Sequence, residues 1–287
     1  MHFTPTSITQ SLIRGTCARN REYIRKIDLS PVLIDGNKIP EVEEMKFLGI
    51  IIDNKLRWAP HIEFLSKKLK SATGIINHIR QYIPPENYKM LYHTLFESHM
   101  NYGITVFGGA LKSYTEKLFR IQKHCVRVLF GDRHTFLEKS RTCARVREFG
   151  HQQPGHEIYI KEHSKPIFNK SNILAFKNCY HYHLCLEMVK ILKFKLPTAL
   201  FDMVNLSKRN NGTLLLAPNL PKSSFACRGT PVWNKVLKAF LNDKCLNDIE
   251  LISVKDKLKK SLHAIQNEHH ELEWYPMNFD FNYIKNI

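Results

Sequence analysis

The chain has 287 residues, 43% of them apolar and 24% charged, a balance that excludes a disordered tail and suits one large domain or two small ones. Lys and Arg number 43 against 26 Asp and Glu, a formal net charge of +17, which favours a nucleic-acid partner over a basic protein with no polyanion partner, with an anionic membrane surface last and no membrane partner expected. No apolar run approaches the ~20 residues of a spanning helix, and seven scattered cysteines without a C-x-x-C suit reduced thiols in a cytoplasmic or nuclear protein rather than a disulfide frame.

Residues 1–56 read as the edge of a sheet. Apolar runs at 31–34 and 38–42 flank Asp35-Gly36-Asn37, and Asp-Gly in that setting predicts a hairpin. Residues 45–52 read as one strand, apolar on both faces and therefore expected to be covered on both. Asp53 follows it as a turn residue. Residues 57–131 predict a three-helix bundle. Pro60 opens the first helix, whose stripe is Ile62, Leu65, Leu69, Ala72, Ile76, Ile79 and Ile83. Pro84-Pro85 ends it, and Tyr88, Leu91, Tyr92, Leu95 and Phe96 form the face of the second. Residues 102–110 read as a helix end and loop. Ser113 and Glu116 predict a capping box for the third helix, with Leu118, Ile121, Cys125 and Val128 or Leu129 inside and Gly131 at its C-terminus.

Residues 132–165 read as a basic linker, and 166–287 as a second helical region. A helix over 178–194 stops at Leu196-Pro197. Residues 205–230 read as loop. Pro231 is expected to start a short helix carrying Trp233, and Ser253 and Asp256 to cap a last helix with Val254, Leu258, Leu262 and Ile265 inside. The fold class is thus mainly α, with a small antiparallel β element at the N-terminus, a helical bundle and a further helical region.

Catalytic signals are absent. There is no Asp-Asp dipeptide, no G-x-x-x-x-G-K-[ST], no G-x-S-x-G and no H-E-x-x-H. Cys179, His181, His183 and Cys185 alternate by two, which on a helix spreads them around the axis. Cys143, His151, His156 and His163 fit no common ligand spacing. No metal or cofactor is expected for the chain alone. Trp58 and Trp233 are expected as core anchors rather than base-stacking residues, with Trp274 a third aromatic in an acidic tail.

The stronger signal is a ridge. Lys117, Arg120, His124 and Arg127 step by 3, 4 and 3 opposite the apolar stripe of the third helix, with Lys123 beside them. At 1.5 Å per residue this ridge is about 15 Å long, and phosphates along a strand can meet it without sequence choice. Lys67 and Lys70 lie away from the stripe of the first helix. The candidate nucleic-acid contacts are therefore Lys67, Lys70, Lys117, Arg120, Lys123 and Arg127; the ordinary alternative is a solvated helix face. Lys255, Lys257, Lys259 and Lys260 point to several sides of the last helix and read as solubilising.

Residues 46–62 (Lys-Phe-Leu-Gly-Ile-Ile-Ile-Asp-Asn-Lys-Leu-Arg-Trp-Ala-Pro-His-Ile) resemble the palm–thumb hinge in reverse transcriptases of non-long-terminal-repeat retrotransposons, the LINE-type jockey-like group especially. Arg120-Ile121-Gln122-Lys123 with Arg127 is similar to the R-x-Q-x-x-x-x-R helix of their thumb. The run from His163 to Phe168, then Asn172-Ile173-Leu174, is similar to the segment that opens their C-terminal region. Ser224-Phe225, Arg228-Gly229 and Trp233-Asn234 are similar to their S-F-x-x-R-G-x-x-x-W-N block, although Val236-Leu237 replaces the usual Leu-Pro. The likeness runs from about residue 30 to 262. It implies a thumb-like bundle, a primer-grip-like role for Phe47, Leu48 and Gly49, and a partner that is RNA or an RNA–DNA hybrid. It also implies that the Y-x-D-D palm motif, which holds Mg²⁺ in the complete enzyme, lies before this chain begins. The expectation is a non-catalytic C-terminal fragment of an RNA-directed DNA polymerase that binds nucleic acid. The alternatives are part of an active enzyme once joined to fingers and palm, and an interaction or scaffold protein derived from the element.

Overall fold

A computed structural model describes residues 33–34, 37–38, 40, 42–131, 164–206, 215–216, 224–234 and 251–268. Of the segment read as a basic linker, 132–163 lies outside the described residues, whereas Ser164 and Lys165 are helical; Cys143, His151, His156, His163, Val236, Leu237 and Trp274 also lie outside them. The fold is mostly helical, with short antiparallel hairpins at its N-terminal end. Strands β1 (Leu33–Ile34) and β2 (Asn37–Lys38) pair antiparallel, with Ile34 opposite Asn37, as the Asp-Gly signal predicts.

Residues 45–52 are not one strand. They fold back as a second hairpin of β3 (Glu44–Phe47) and β4 (Ile50–Asp53), with Phe47 opposite Ile50. Leu48 and Gly49 form its two-residue turn, at φ +45° and +80°. Both central residues of a tight primed turn need positive φ, which Gly takes freely and Leu at a cost. The expected two-sided cover is absent as well: Phe47 is 55% exposed and Leu48 72%.

Asp53 orders the loop that follows. It is buried, and its two carboxylate oxygens accept the backbone N–H groups of Arg57 (3.0 Å) and Trp58 (2.8 Å). Helix α1 (Ala59–Ile79) then begins, with Pro60 in its first turn. It ends four residues before the sequence pattern does, passing into a 3₁₀ turn at Arg80–Tyr82. Helix α2 (Tyr88–Leu91) continues through a π-helical turn (Tyr92–Glu97) into α3 (Ser98–Asn101). A short helix α4 (Ile104–Phe107) occupies part of the segment read as loop.

Helix α5 (Lys112–Phe130) starts one residue before the expected box. Its N-cap is Leu111, without a side-chain cap, so Ser113 and Glu116 lie inside the helix. Gly131 does close it, in an extended rather than left-handed conformation. After α6 (Ser164–Ser171) comes α7 (Phe176–Phe194), whose buried residues surround most of its circumference. Helix α8 (Thr198–Phe201) follows, then an antiparallel pair, β5 (Asn205–Leu206) and β6 (Leu215–Leu216). Helix α9 (Phe225–Val232) carries Pro231 in its last turn, and so begins earlier than Pro231 suggests. Helix α10 (Leu251–Glu268) likewise begins before Ser253 and Asp256.

The core stripes are where the periodicity puts them. Ile62, Leu65, Leu69, Ala72 and Ile76 of α1 are buried, as are Leu118, Ile121, Cys125, Val128 and Leu129 of α5. Trp233 is buried, and Val254, Leu258, Leu262 and Ile265 turn inward from α10. All of these but Ala72 and Ile265 belong to one continuous cluster that joins α1 and α5 to α7, α9 and α10. Burying a large apolar side chain stabilises by roughly 1.5–3 kcal/mol, so this shared core is what holds the two helical regions together.

Candidate nucleic-acid interface

The helices α1 and α5 pack side by side and run parallel. Glu63 of α1 pairs with Lys117 of α5, and two to three turns further on the Thr73 hydroxyl meets the Cys125 thiol. Lys67, Lys70 and Gly74 continue the flank of α1 that starts at Glu63, at helical steps of 4, 3 and 4. Lys67 and Lys70 are exposed. The Glu63 carboxyl is held below its ordinary range, first by its bond to Lys117 and the Lys117 charge, then by the charges of Lys67 and Lys70. Of the candidate cations Lys117 pairs with this acid, and Lys67 and Lys70 follow it one and two turns along the same flank.

Arg120 is exposed one turn beyond Lys117. Lys123 sits on the other flank of α5, its ammonium 4.5 Å from the centre of the Phe119 ring, which itself lies 6.1 Å from Phe168 of α6. Arg127 is half-buried; burial first, and then the Arg127 charge, hold the neighbouring His124 imidazole below its ordinary pKa. The six side chains thus form a band across α1 and α5 rather than a single file: Lys67, Lys70 and Lys117 on the α1 side, Lys123 toward α6, Arg120 and Arg127 between. A side-chain carbon added to Gly74 would meet nothing within 4 Å, so a ligand can approach the helix backbone there.

The β3–β4 hairpin leads onto the same end of the helix pair. The Ile51 N–H donates to His61 Nδ1 (3.4 Å) in the first turn of α1, and the Lys46 ammonium lies 5.3 Å from the Phe64 ring centre. Phe47, Leu48 and Gly49, the primer-grip-like residues, are the hairpin's exposed tip. Beside the hairpin, Glu43, Glu44, Asp53, Lys55 and Arg57 line an open cleft of about 270 Å³. Its charges are of both signs, and both Asp53 oxygens already accept backbone N–H bonds. Among the described residues no three His, Cys, Asp or Glu side chains are grouped to hold a metal ion.

Two buried glutamines, Gln122 of the R-x-Q stretch and Gln266, do structural work that no sequence pattern assigned to them. Gln122, fully buried, donates through Nε2 to the Tyr92 hydroxyl (2.8 Å) and the Leu174 carbonyl (2.9 Å), and accepts the Phe176 N–H at Oε1 (2.8 Å). Gln266 donates to the Ile173 carbonyl (2.9 Å) and accepts from the Ala175 N–H (2.9 Å) and the Asn178 amide (3.1 Å). One glutamine from α5 and one from α10 therefore clamp the entry to α7. The sequence does carry a signal: each falls on an apolar stripe, four residues after Leu118 and Leu262 respectively.

Arg228 is a third clamp. Its guanidinium donates to the Tyr180 hydroxyl (2.8 Å) and the Thr105 carbonyl (3.2 Å). A side chain at Gly109 would overlap that guanidinium. Ser224 caps α9 through the Cys227 N–H (3.2 Å), and the Asn234 amide makes two 2.9 Å bonds to the Leu215 backbone.

Known proteins share part of this sequence. The RNA-directed DNA polymerase from mobile element jockey of Drosophila funebris is 26% identical over 125 residues, 42% of this chain and 14% of that protein. A probable RNA-directed DNA polymerase from transposon X-element of Drosophila melanogaster is 23% identical over 106 residues, 35% of this chain and 12% of that protein. The chain is related to the LINE-type reverse transcriptases. No protein-family model matches it, and no solved structure does. The residues that resemble LINE-type motifs are largely the clamps. Gln122 of the R-x-Q helix, the Ile173 and Leu174 carbonyls, and Ser224, Arg228 and Asn234 all bond within the fold. Among the described residues no helix is long and apolar enough to cross a membrane.

Proposed function

We propose that this chain is the thumb and C-terminal region of a LINE-type reverse transcriptase, that it binds RNA or an RNA–DNA hybrid, and that it does not polymerise alone. In this reading 1–56 is a palm edge, 57–131 the thumb, 132–165 a basic linker and 166–287 the C-terminal region. The band of Lys67, Lys70, Lys117, Arg120, Lys123 and Arg127 meets phosphates, and the Phe47–Gly49 tip meets the primer end. The observation that carries it is that exposed Lys67 and Lys70 follow Glu63 along one flank of α1, while Lys117 of α5 pairs with Glu63, beside Arg120 and an open helix glycine. Glu63 pairs with Lys117, and Lys67 and Lys70 stand exposed beside that pair. A strand of phosphates would complete the set.

A primer-extension assay with Mg²⁺ separates this from the active-enzyme reading. The purified chain should bind a template–primer hybrid and add no nucleotide; incorporation above background would favour a polymerase. Affinity no better than that of a neutral control protein would favour an interaction or scaffold protein.

Glu63 gives a test with an unusual sign. Glu63→Gln removes the acid that competes with phosphate for Lys117. The Glu63–Lys117 pair is exposed and contributes little to folding. Affinity for the hybrid should therefore rise, by about three- to tenfold at 50 mM salt. A fluorescence titration checks this, and unchanged or weaker binding would count against the α1–α5 band.

A further inference from the structure

The hairpin tip is held in place by one exposed tyrosine, and the inference drawn from this rests on the reading above. Leu48 has positive φ, a conformation that L side chains rarely keep unless something holds them. The holder is Tyr102, 54 residues away. Its hydroxyl donates to the Leu48 carbonyl at 2.6 Å. Its ring edge lies 3.5 Å from where a side-chain carbon of Gly49 would stand. The next residue, Gly103, has φ +68°, and a side chain there would come within 2.6 Å of Ile50 Cδ1. Two consecutive residues at the end of α3 thus buttress three consecutive residues of the hairpin.

The opposite flank of the hairpin is fixed by His61. Its Nδ1 accepts the Ile51 N–H, which requires a neutral imidazole, and burial lowers its pKa in that direction. Tyr102 is different in kind, since it is 56% exposed. An exposed side chain gains little from burial and loses rotamer freedom when tied. What it gains here is a rigid tip. A tip of exposed apolar residues that is meant to meet one shape of ligand benefits from being ordered beforehand.

We propose that Tyr102 is a positioning residue, which fixes the Phe47–Gly49 tip so that it meets a nucleic-acid duplex in one orientation. The test uses the full chain, a short RNA–DNA hybrid, and heparin, a polyanion without bases that meets only the basic band. Tyr102→Phe keeps the ring and removes the hydroxyl. Hydrogen exchange of residues 45–52 should quicken about fivefold or more, and hybrid affinity should fall by about the same factor, the effect of one lost hydrogen bond. Heparin affinity should stay as it was. Gly103→Ala displaces the hairpin from the Ile50 side and should give the same selective loss.

Unchanged exchange in Tyr102→Phe overturns the proposal. So does faster exchange with full hybrid affinity, and so does an equal loss on hybrid and heparin, which is general loosening. Full hybrid affinity in Gly103→Ala also overturns it. A wild-type chain that fails to bind the hybrid at all overturns the underlying reading, a result visible before any variant is made.

Discussion

Gln122→Met should lower the stability of the chain by about 3 kcal/mol. Methionine fills nearly the same space and offers no hydrogen bond. The Phe176 N–H, an orphan donor of the first turn of α7, loses its acceptor, and the Tyr92 hydroxyl and Leu174 carbonyl lose their donor. A buried polar group left unsatisfied costs about 1–3 kcal/mol. The Leu174 carbonyl keeps one weak contact, from the Cys179 thiol at 3.3 Å, so the sum stays below the full penalty for three groups. The thermal midpoint should drop by roughly 6–12 °C. Differential scanning calorimetry reads this directly. A drop within 2 °C would mean that the glutamine does not join α5 to α7. Hybrid binding at a temperature where the variant is folded should be nearly unchanged, because Gln122 is on the core side of α5 and the basic band is on the other.

The division between legible and illegible features follows the reach of the interactions that cause them. The α1 stripe from Ile62 to Ile76 and the α5 stripe from Leu118 to Leu129 are written in local spacing, and both are buried as read. The β1–β2 hairpin is local too, and Asp-Gly announces it. The β3–β4 hairpin is equally local, yet its run of apolar residues hides the turn. Gly49 was the available signal, since a glycine inside an apolar run marks a bend or a close approach. Leu48 gave none, because leucine seldom takes the positive φ that this turn requires, and the Tyr102 hydroxyl that bonds its carbonyl comes from 54 residues away. The box at Ser113 and Glu116 failed for a different reason: Leu111 already starts α5, and the short motif has no means of ruling that out.

The clamps were the least legible. Gln122 reaches residues 30 to 54 positions away, Gln266 about 90 and Arg228 as far as 123. Only the tertiary fold brings these partners together. The ridge on α5 was legible as a face but not as a band. Spacing alone aligned Lys117, Arg120 and Arg127. It could not show that Glu63 answers Lys117 or that Lys123 turns toward Phe119 and α6.

Replacing Arg120, Lys123 and Arg127 together with alanine should have the largest effect on binding. Arg120 is exposed and alanine is a good helix former, but Lys123 packs on Phe119 and Arg127 is half-buried, so affinity is compared at a temperature where calorimetry shows the variant folded. Each cation that neutralises a phosphate releases counterion, with a slope of about −0.9 per contact on duplex and −0.7 on single strands. Six contacts give the wild-type chain a slope near −5 on a hybrid, and a loss of roughly 10³ in affinity between 50 and 200 mM salt. Three contacts give a slope of about −2.7 and a loss of only about 40-fold over the same range. At 50 mM the triple variant should already bind about 100-fold more weakly. Lysine in place of Arg120 and Arg127, with Lys123 kept, should restore most of the slope, since phosphates on this band are met as charges rather than as geometry.

The decisive measurement is the salt dependence of hybrid affinity for the wild-type chain and the triple variant, taken side by side from 50 to 200 mM. A slope shallower by about 2–3 in the variant is the expected result. Parallel lines would mean that phosphates do not meet α5 at all, and a wild-type line without slope would mean that this basic chain holds nucleic acid by no electrostatic surface.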